Sequence, residues 1–470
     1  MDISTLIQNP ILYNFFLLNE TNTKNFKEET IKNNINKIYQ RLKNLNEKDE
    51  EDKYLSLSCI YGAFLGDSIG SCSEFKKKNS KNHESIFKLK KGIFEIGELT
   101  DDSEMAMSAA FAYLDIPFKE SSTIQDFLFY YFCIWKNSHP KDIGVATQKS
   151  LSLFDPNVNT ILNTKFNHTI KKNTEDINKN SLANGFLMRI SPFIVYFYYA
   201  YYDLINEIFE EDMRSKRYLY LYYKIYDESY KNVIITHPNE ENVVISAIFS
   251  FMVFTAMKKK KSKDVLDYLT TLINHKSFIN RHVNKEVAKQ ALTKVLEVIK
   301  QVKEKKQFDV YSQMGYYLHA FKLTIYFLYK YPQMEKPEIY ENQNCNNLYR
   351  TIMEEICDFG GDTDTNCAIV GTLIGPLIGY KKFDQNLFDI FIHFFPKTRL
   401  QYISAFMFEY VEILENKYLY NYDPFKEKKQ EINEDSKDSQ DFQIIEKIKY
   451  DKKKFHFMTY KVLIKFLNEQ

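Results

Sequence analysis

The sequence predicts an all-α fold, and three observations carry that expectation. Glycine and proline are scarce, 13 and 11 in 470 residues, which is about 5% of the chain where ordinary composition gives about 12%. Turn punctuation is therefore sparse and helices can run long. Apolar residues recur at helical spacing over 105–114, 123–135, 242–257, 283–302 and 316–329. The apolar–polar alternation that marks strands is nearly absent.

Taken in chain order, residues 1–53 are polar, with Asn- and Glu-rich stretches such as KNNINKIYQRLKNLNEKDEED. They read as a helical extension, one or two exposed helices outside the main core. Residues 54–420 carry the helical periodicity. Length alone allows three domains, but no Pro-, Ser- or Gly-rich linker interrupts this span, so a single large, compact helical domain is expected. Residues 421–470 begin with a charged stretch without hydrophobic period, 426–442, which reads as a linker, and continue into an amphipathic segment, 444–467, which reads as a C-terminal helix.

Composition narrows the function classes. With 44% hydrophobic and 27% charged residues the chain can bury a sizeable core, which excludes intrinsic disorder and a small disulfide scaffold. Sixty-three Lys and Arg against sixty-two Asp and Glu leave a net charge of +1. No global field gathers nucleic acid or an anionic membrane, and neither is expected as a partner. The six cysteines, Cys59, Cys72, Cys133, Cys345, Cys357 and Cys367, lack Cys-x-x-Cys or metal-finger spacing, as reduced thiols do. The first residues have no basic region and meet Pro10 before any sustained apolar run, so a cytoplasmic protein is expected, with the nucleus as the alternative. The apolar runs 243–257 and 367–380 fall short of the roughly 20 residues of a membrane span and read as buried helices.

In a chain that avoids glycine, the glycines it keeps are informative. Gly62, Gly66 and Gly70 fall four apart, as do Gly371, Gly375 and Gly379; on a helix such spacing strips one face and lets another backbone approach closely. Each stripe adjoins acidic residues. The first holds Asp67 and leads to Ser73, Glu74 and Phe75; the second follows Phe359, Gly360, Gly361, Asp362, Thr363, Asp364 and Thr365. A third acidic group, Thr100, Asp101, Asp102 and Ser103, follows Gly97. Alone, that group reads as a capping segment. Capping accounts for one of Asp362 and Asp364 but not for both. Together the carboxylates and hydroxyls offer the hard oxygen ligands that Mg²⁺ or Mn²⁺ prefers, without His or Cys, and a dinuclear site is one reading of them. If they converged without a metal, they would raise one another's pKa.

With these motifs in hand, the chain resembles the ADP-ribosylglycohydrolase family, the all-helical hydrolases that include the dinitrogenase reductase-activating glycohydrolase and the ADP-ribosyl-acceptor hydrolases. GAFLGDSIGSCSEF (62–75), GELTDDSEM (97–105), ANGFLMRISP (183–192), ITHPN (235–239) and GGDTDTNCAIVGTLIGPLIG (360–379) are similar to five family segments and occur in the family's order. They span about 54–380. Leu99 departs from the aromatic residue that many members place before Thr-Asp-Asp, and Pro376 interrupts the helix after the last motif; neither change removes a ligand.

The resemblance implies the compact orthogonal helical fold of that family, a catalytic domain over 54–420, and hydrolysis at the anomeric carbon of the distal ribose of ADP-ribose conjugates. It implies two Mg²⁺, with Mn²⁺ an alternative, and ADP-ribose or an ADP-ribosylated protein as partner. By the same carry-over, Thr100, Asp101, Asp102 and Asp364 would hold one ion and Asp362, Asp364 and Thr365 the other. Glu74 would shuttle a proton, against the reading of a surface glutamate beside Lys76–Lys78. Asn184, Gly185 and His237 would meet substrate, the first two by offering N–H groups at a helix start; for His237 a cap or packing role stands beside ligand contact. Arg189 reads as a member of a buried structural pair. Ser68 and the cysteines show no base partner, so serine or thiol nucleophilic catalysis is not supported. Two rival readings remain. Asp101 and Asp102 superficially match the Asp-rich helix of prenyl-diphosphate enzymes, and a binding or structural protein on the same fold is the alternative of a different class.

Overall fold

The structure is a computed structural model that describes residues 28–75, 94–115, 123–152, 166–210, 217–306, 309–341, 347–396 and 399–420. Among these are eighteen α-helices and no strand, apart from an isolated bridge between Ala183 and Tyr316. In chain order they are α1 (Glu28–Asn44), α2 (Glu51–Gly70), α3 (Asp101–Leu114), α4 (Ile124–Asn137), α5 (Val145–Leu151) and α6 (His168–Asn178). A short 3₁₀ turn, Asn184–Phe186, precedes α7 (Ser191–Ala200), α8 (Tyr202–Glu210), α9 (Arg217–Val233), α10 (Glu240–Lys259), α11 (Ser262–Ile273) and α12 (Lys285–Lys303). The chain closes with α13 (Tyr317–Lys330), α14 (Glu338–Glu341), α15 (Leu348–Phe359), α16 (Thr363–Ile378), α17 (Gln385–Ile392) and α18 (Phe406–Leu419).

Local signals account for several boundaries. The Thr123 hydroxyl and the Asp126 carboxylate form a reciprocal capping box that opens α4. The Asn239 side chain accepts from Glu241 N–H to open α10, which ends at Lys260 in the left-handed conformation. Helix α10 is the one described helix long and apolar enough to cross a membrane by length and composition; 94% of its apolar window is buried inside the protein, as in a central core helix.

The centre of the fold is an antiparallel pair, α2 and α16. Lys53–Gly70 and Thr363–Ile378 are buried throughout. The two glycine stripes face each other in register: Gly62 and Gly371 lie backbone to backbone, so that a Cβ on either would run into the carbonyl oxygen of the other. A Cβ at Gly66 would stand 2.5 Å from the Cys367 carbonyl oxygen. The pair is fastened by hydrogen bonds from Tyr349 Oη to Gly62 O (2.6 Å), Thr363 Oγ1 to Gly70 O (2.7 Å) and Tyr380 N–H to Ser58 Oγ (3.0 Å). Pro376 sits inside α16, where it removes one backbone donor, and the helix runs on to Ile378.

One expectation needs correction at the N-terminus. Helix α1 does not stand exposed outside the core: Ile31, Ile35, Ile38, Tyr39 and Leu42 form an apolar stripe that joins the hydrophobic core. Tyr380 Oη donates to Leu42 O (2.6 Å), and Lys381 Nζ donates to Leu45 O (2.6 Å), closing its C-terminal end. The polar residues that suggested an extension lie on the opposite face. Residues 1–27 and the expected linker and helix of 421–470 fall outside the described residues.

The close approach sets up a paired test. Gly66→Ala forces a methyl group into backbone and should cost about 2–3 kcal/mol or more, the scale of overpacking in a core. Gly144 has nothing within 4 Å of an added Cβ and an ordinary φ of −60°, so Gly144→Ala should change stability by no more than about 1 kcal/mol. Urea unfolding of both variants reads the difference; equal losses would show that the helix contact is not a constraint.

Candidate active site

The antiparallel register brings the C-terminal end of α2 beside the N-terminal end of α16. After Gly70 the chain turns through Ser71–Phe75, and Phe75 N–H donates to Gly361 O at 2.8 Å. Glu74 is thereby carried to the loop that holds Asp362 and Asp364. One carboxylate oxygen each from Glu74, Asp362 and Asp364 lies within 4.8 Å of the others, and so does a second trio, Asp67, Asp102 and Asp364. Asp364 belongs to both.

The Thr-Asp-Asp segment is set against this cluster by Asp67. Its buried carboxylate accepts from Thr100 N–H (3.1 Å), Thr100 Oγ1 (2.7 Å), Ser103 N–H (3.2 Å) and Ser103 Oγ. The Thr100 hydroxyl also accepts from Asp102 N–H at 3.3 Å as the cap of α3. Glu104, one turn further on, accepts from Trp135 Nε1 at 2.8 Å and pairs with Arg399 at 2.5 Å. On the other side, Asp362 occupies the N-cap position of α16 yet makes no capping bond; it accepts from Asn184 Nδ2 at 2.7 Å. Thr365 Oγ1 donates to Asp102 Oδ2 at 3.2 Å, while Asp102 Oδ1 is buried with no hydrogen-bond partner. That orphaned oxygen, in a set made wholly of carboxylates and hydroxyls, fits a hard divalent cation.

Burial and mutual repulsion dominate the electrostatics. Burial pushes Glu74 up to about 8, with the charges of Asp362, Asp142 and Asp67 adding to it. It pushes Asp67 up to about 6 against the lowering effect of its four donors. Asp101, Asp102 and Asp364 rise well above the carboxylate range for the same two reasons, burial first.

Glu74, Asp101, Asp102, Asp362 and Asp364 line a cavity of about 690 Å³, with Asp67 behind them. Nine of the ten site residues expected from sequence reach it: Glu74, Asp101, Asp102, Asp362, Asp364, Thr365, Asn184, Gly185 and His237. Thr100 does not; its hydroxyl is engaged with Asp67 and the α3 cap. Asn184 opens a three-residue 3₁₀ turn rather than a helix, and its N–H is taken by Gly315 O at 2.8 Å. The expected helix-start anion site is therefore replaced by a brace between Asp362 and the 313–316 loop. His237 is held by Thr236 Oγ1 at Nδ1 (2.8 Å), and burial, with Arg189 nearby, pushes it down to about 3, so it is neutral.

Arg189 is buried, as expected, but its partners are not carboxylates. It donates to Gly185 O (3.0 Å), Thr236 Oγ1 (2.8 Å) and both oxygens of Asn232, and lies over the Phe132 ring. It ties the Asn184 turn to the Thr236–His237 segment. Sequence reasoning missed the cavity residues Asp142–Thr147 and Gln313–Tyr316. Gly144 and Gly315, lone glycines in a chain short of them, were the available signal, and inspection of clustered glycines passes over both.

The ADP-ribosylglycohydrolase family pattern matches residues 47–393. A protein of Acanthamoeba polyphaga mimivirus assigned as an ADP-ribosyl glycohydrolase is 25% identical over 329 residues, covering 68% of this chain and 86% of that protein. A solved structure described as an ADP-ribosylglycohydrolase-related protein complex aligns with a TM-score of 0.46 and 14% identity over 76% of this chain and 99% of that one.

The raised carboxylates imply a metal-linked pH dependence. An unfolded chain releases these protons near pH 4, the folded cluster only at about 6 for Asp67 and about 8 for Glu74. Between those limits the folded state binds more protons than the unfolded one, so this contribution to stability is lost as pH rises. Chelated protein should therefore show a Tm that falls from pH 5 to pH 8, and Mg²⁺ or Mn²⁺ should raise Tm more at pH 8 than at pH 5. A metal-induced Tm shift independent of pH, or none, would count against a metal-binding cluster.

Proposed function

The chain belongs to the ADP-ribosylglycohydrolase family, and from that premise we propose that it is a divalent-metal-dependent glycohydrolase. It cleaves the bond between an acceptor and the anomeric carbon of the distal ribose in ADP-ribose conjugates. The observation that carries this reading is the pair of carboxylate trios sharing Asp364, all of whose members except Asp67 line one cavity, with Asp102 Oδ1 left without a partner. With the Thr100 hydroxyl engaged by Asp67 rather than reaching the cavity, the expected first set is reduced to Asp101, Asp102 and Asp364, which would hold one Mg²⁺ or Mn²⁺, and Asp362, Asp364 and Thr365 would hold the other. Bound there, such ions offset the clustered negative charge and orient the vicinal hydroxyls of the ribose.

The chain's own groups supply the rest. Cleavage leaves positive character on the anomeric carbon, and a neighbouring carboxyl that gives a proton to the departing group and takes one from water lowers both barriers. Glu74 is suited to this proton transfer, because it stands at the edge of the cluster, partly open to the cavity, and its environment favours the protonated form at neutral pH. Asn184 keeps Asp362 oriented, and neutral His237 stands in the wall against Gly185 as a polar contact for the sugar or diphosphate. Arg189 stays behind the wall as a structural cation.

Release of ADP-ribose from a panel of arginine-linked, serine-linked, acetylated and polymeric ADP-ribose, with Mg²⁺ and with chelator, tests the reading. Chelator-sensitive release is expected, abolished in Asp364→Ala; undiminished turnover in that variant would defeat the metal assignment. Glu74→Gln should lower kcat by about 10²–10⁴, the range of a lost general acid or base, while ADP-ribose binding survives. Tight metal-dependent binding with no release from any substrate would turn the assignment to a binding protein.

A further inference from the structure

Five described residues other than glycine adopt positive φ, and two of them, Phe75 (φ 59°) and Gln313 (φ 55°), line the cavity. Phe75 is the more demanding case, because a bulky side chain in the left-handed region is disfavoured where glycine is not. The turn itself is needed: Phe75 N–H donates to Gly361 O, and this link presents Glu74 to Asp362 and Asp364. The ring is not needed for the turn. It is 56% exposed, and among the described residues it has no aromatic or cationic partner.

The position of the ring supplies a use. The cavity floor is buried, with Asp102 and His237 each 1% exposed, whereas the rim carries two of the large exposed apolar side chains, Phe75 and Val145 at 66%. A sugar can reach the floor. An acceptor that is still part of a polypeptide cannot enter 690 Å³ and must stay at the rim, next to the residue that follows Glu74. A left-handed backbone at Phe75, fixed by its bond to Gly361, thus holds an exposed aromatic ring at the rim directly beside Glu74.

We propose that Phe75 is a specificity-determining residue that packs its ring on the acceptor side of the scissile bond, against the modified side chain and its flanking peptide, while its left-handed backbone places Glu74. The proposal rests on the hydrolase reading above. Phe75→Gly separates the two roles, since glycine keeps the turn without strain and removes the ring.

The experiment uses the full chain, Mg²⁺ and an ADP-ribosylated peptide of whichever linkage the wild type turns over. In Phe75→Gly, KM for the peptide should rise about tenfold, the scale of losing an aromatic contact at an interface. Its kcat and the inhibition constant of free ADP-ribose should stay within about twofold, and its Tm should match or exceed that of the wild type. Phe75→Tyr should restore KM. An unchanged KM, or an ADP-ribose inhibition constant that rises in parallel, would overturn acceptor contact; a lower Tm would show the ring to be structural. Absence of turnover by the wild type on every linkage would overturn the hydrolase reading and this proposal with it.

Discussion

Backbone contact between α2 and α16 is the constraint on which the site depends. Without Cβ atoms at Gly62, Gly66, Gly70, Gly371 and Gly375, the two helices meet at carbonyl distance and in one register. In an antiparallel pair, that register decides what lies beside what at each end. Here it sets Gly70 against Asp364, so the turn that carries Glu74 meets the loop that carries Asp362. A slip of one helical turn is about 5.4 Å, more than the span of either carboxylate trio, and would separate them. Dispersion and hydrogen bonds hold the pair together, but the missing side chains choose its register.

The same closeness creates an electrostatic liability. Asp67, Asp101, Asp102, Asp362 and Asp364 are buried within one region, and Glu74 stands at its edge. A fold selected only for stability has no reason to gather them, because each raises the cost of ionising the next. The protein stabilises what it can locally: Asp67 is surrounded by donors from Thr100 and Ser103, and Glu104 by Trp135 and Arg399. What it leaves exposed to the cavity is the part of the cluster suited to a cation.

Neutral and cationic groups around the cluster brace rather than catalyse. Arg189 spends its guanidinium on carbonyl and hydroxyl oxygens of the Asn184 turn and of Asn232–Thr236, where a carboxylate partner would have formed a self-contained pair. Asn184 in turn connects Asp362 to the 313–316 loop, through its side chain and its N–H respectively. A wall assembled from four separated segments is thus held by hydrogen bonds that cross between them, with no strand among the described residues to tie them together.

The helical class, the five apolar helices and the carboxylate and hydroxyl set are legible in the sequence, because periodicity, glycine scarcity and motif spacing are local properties. The glycine stripes even announce that two helices approach closely. They do not say that they approach each other, since spacing carries no information about the partner. That α1 joins the core, that Asp67 orients the Thr-Asp-Asp turn, that Arg189 bonds to carbonyl and hydroxyl oxygens of Gly185, Asn232 and Thr236, and that Asp142 and Phe75 reach the cavity are decided by tertiary structure alone. Each depends on contacts between residues tens to hundreds of positions apart, and on a backbone angle at Phe75 that its residue type disfavours. Sequence determined which groups were available for chemistry; packing decided which of them meet.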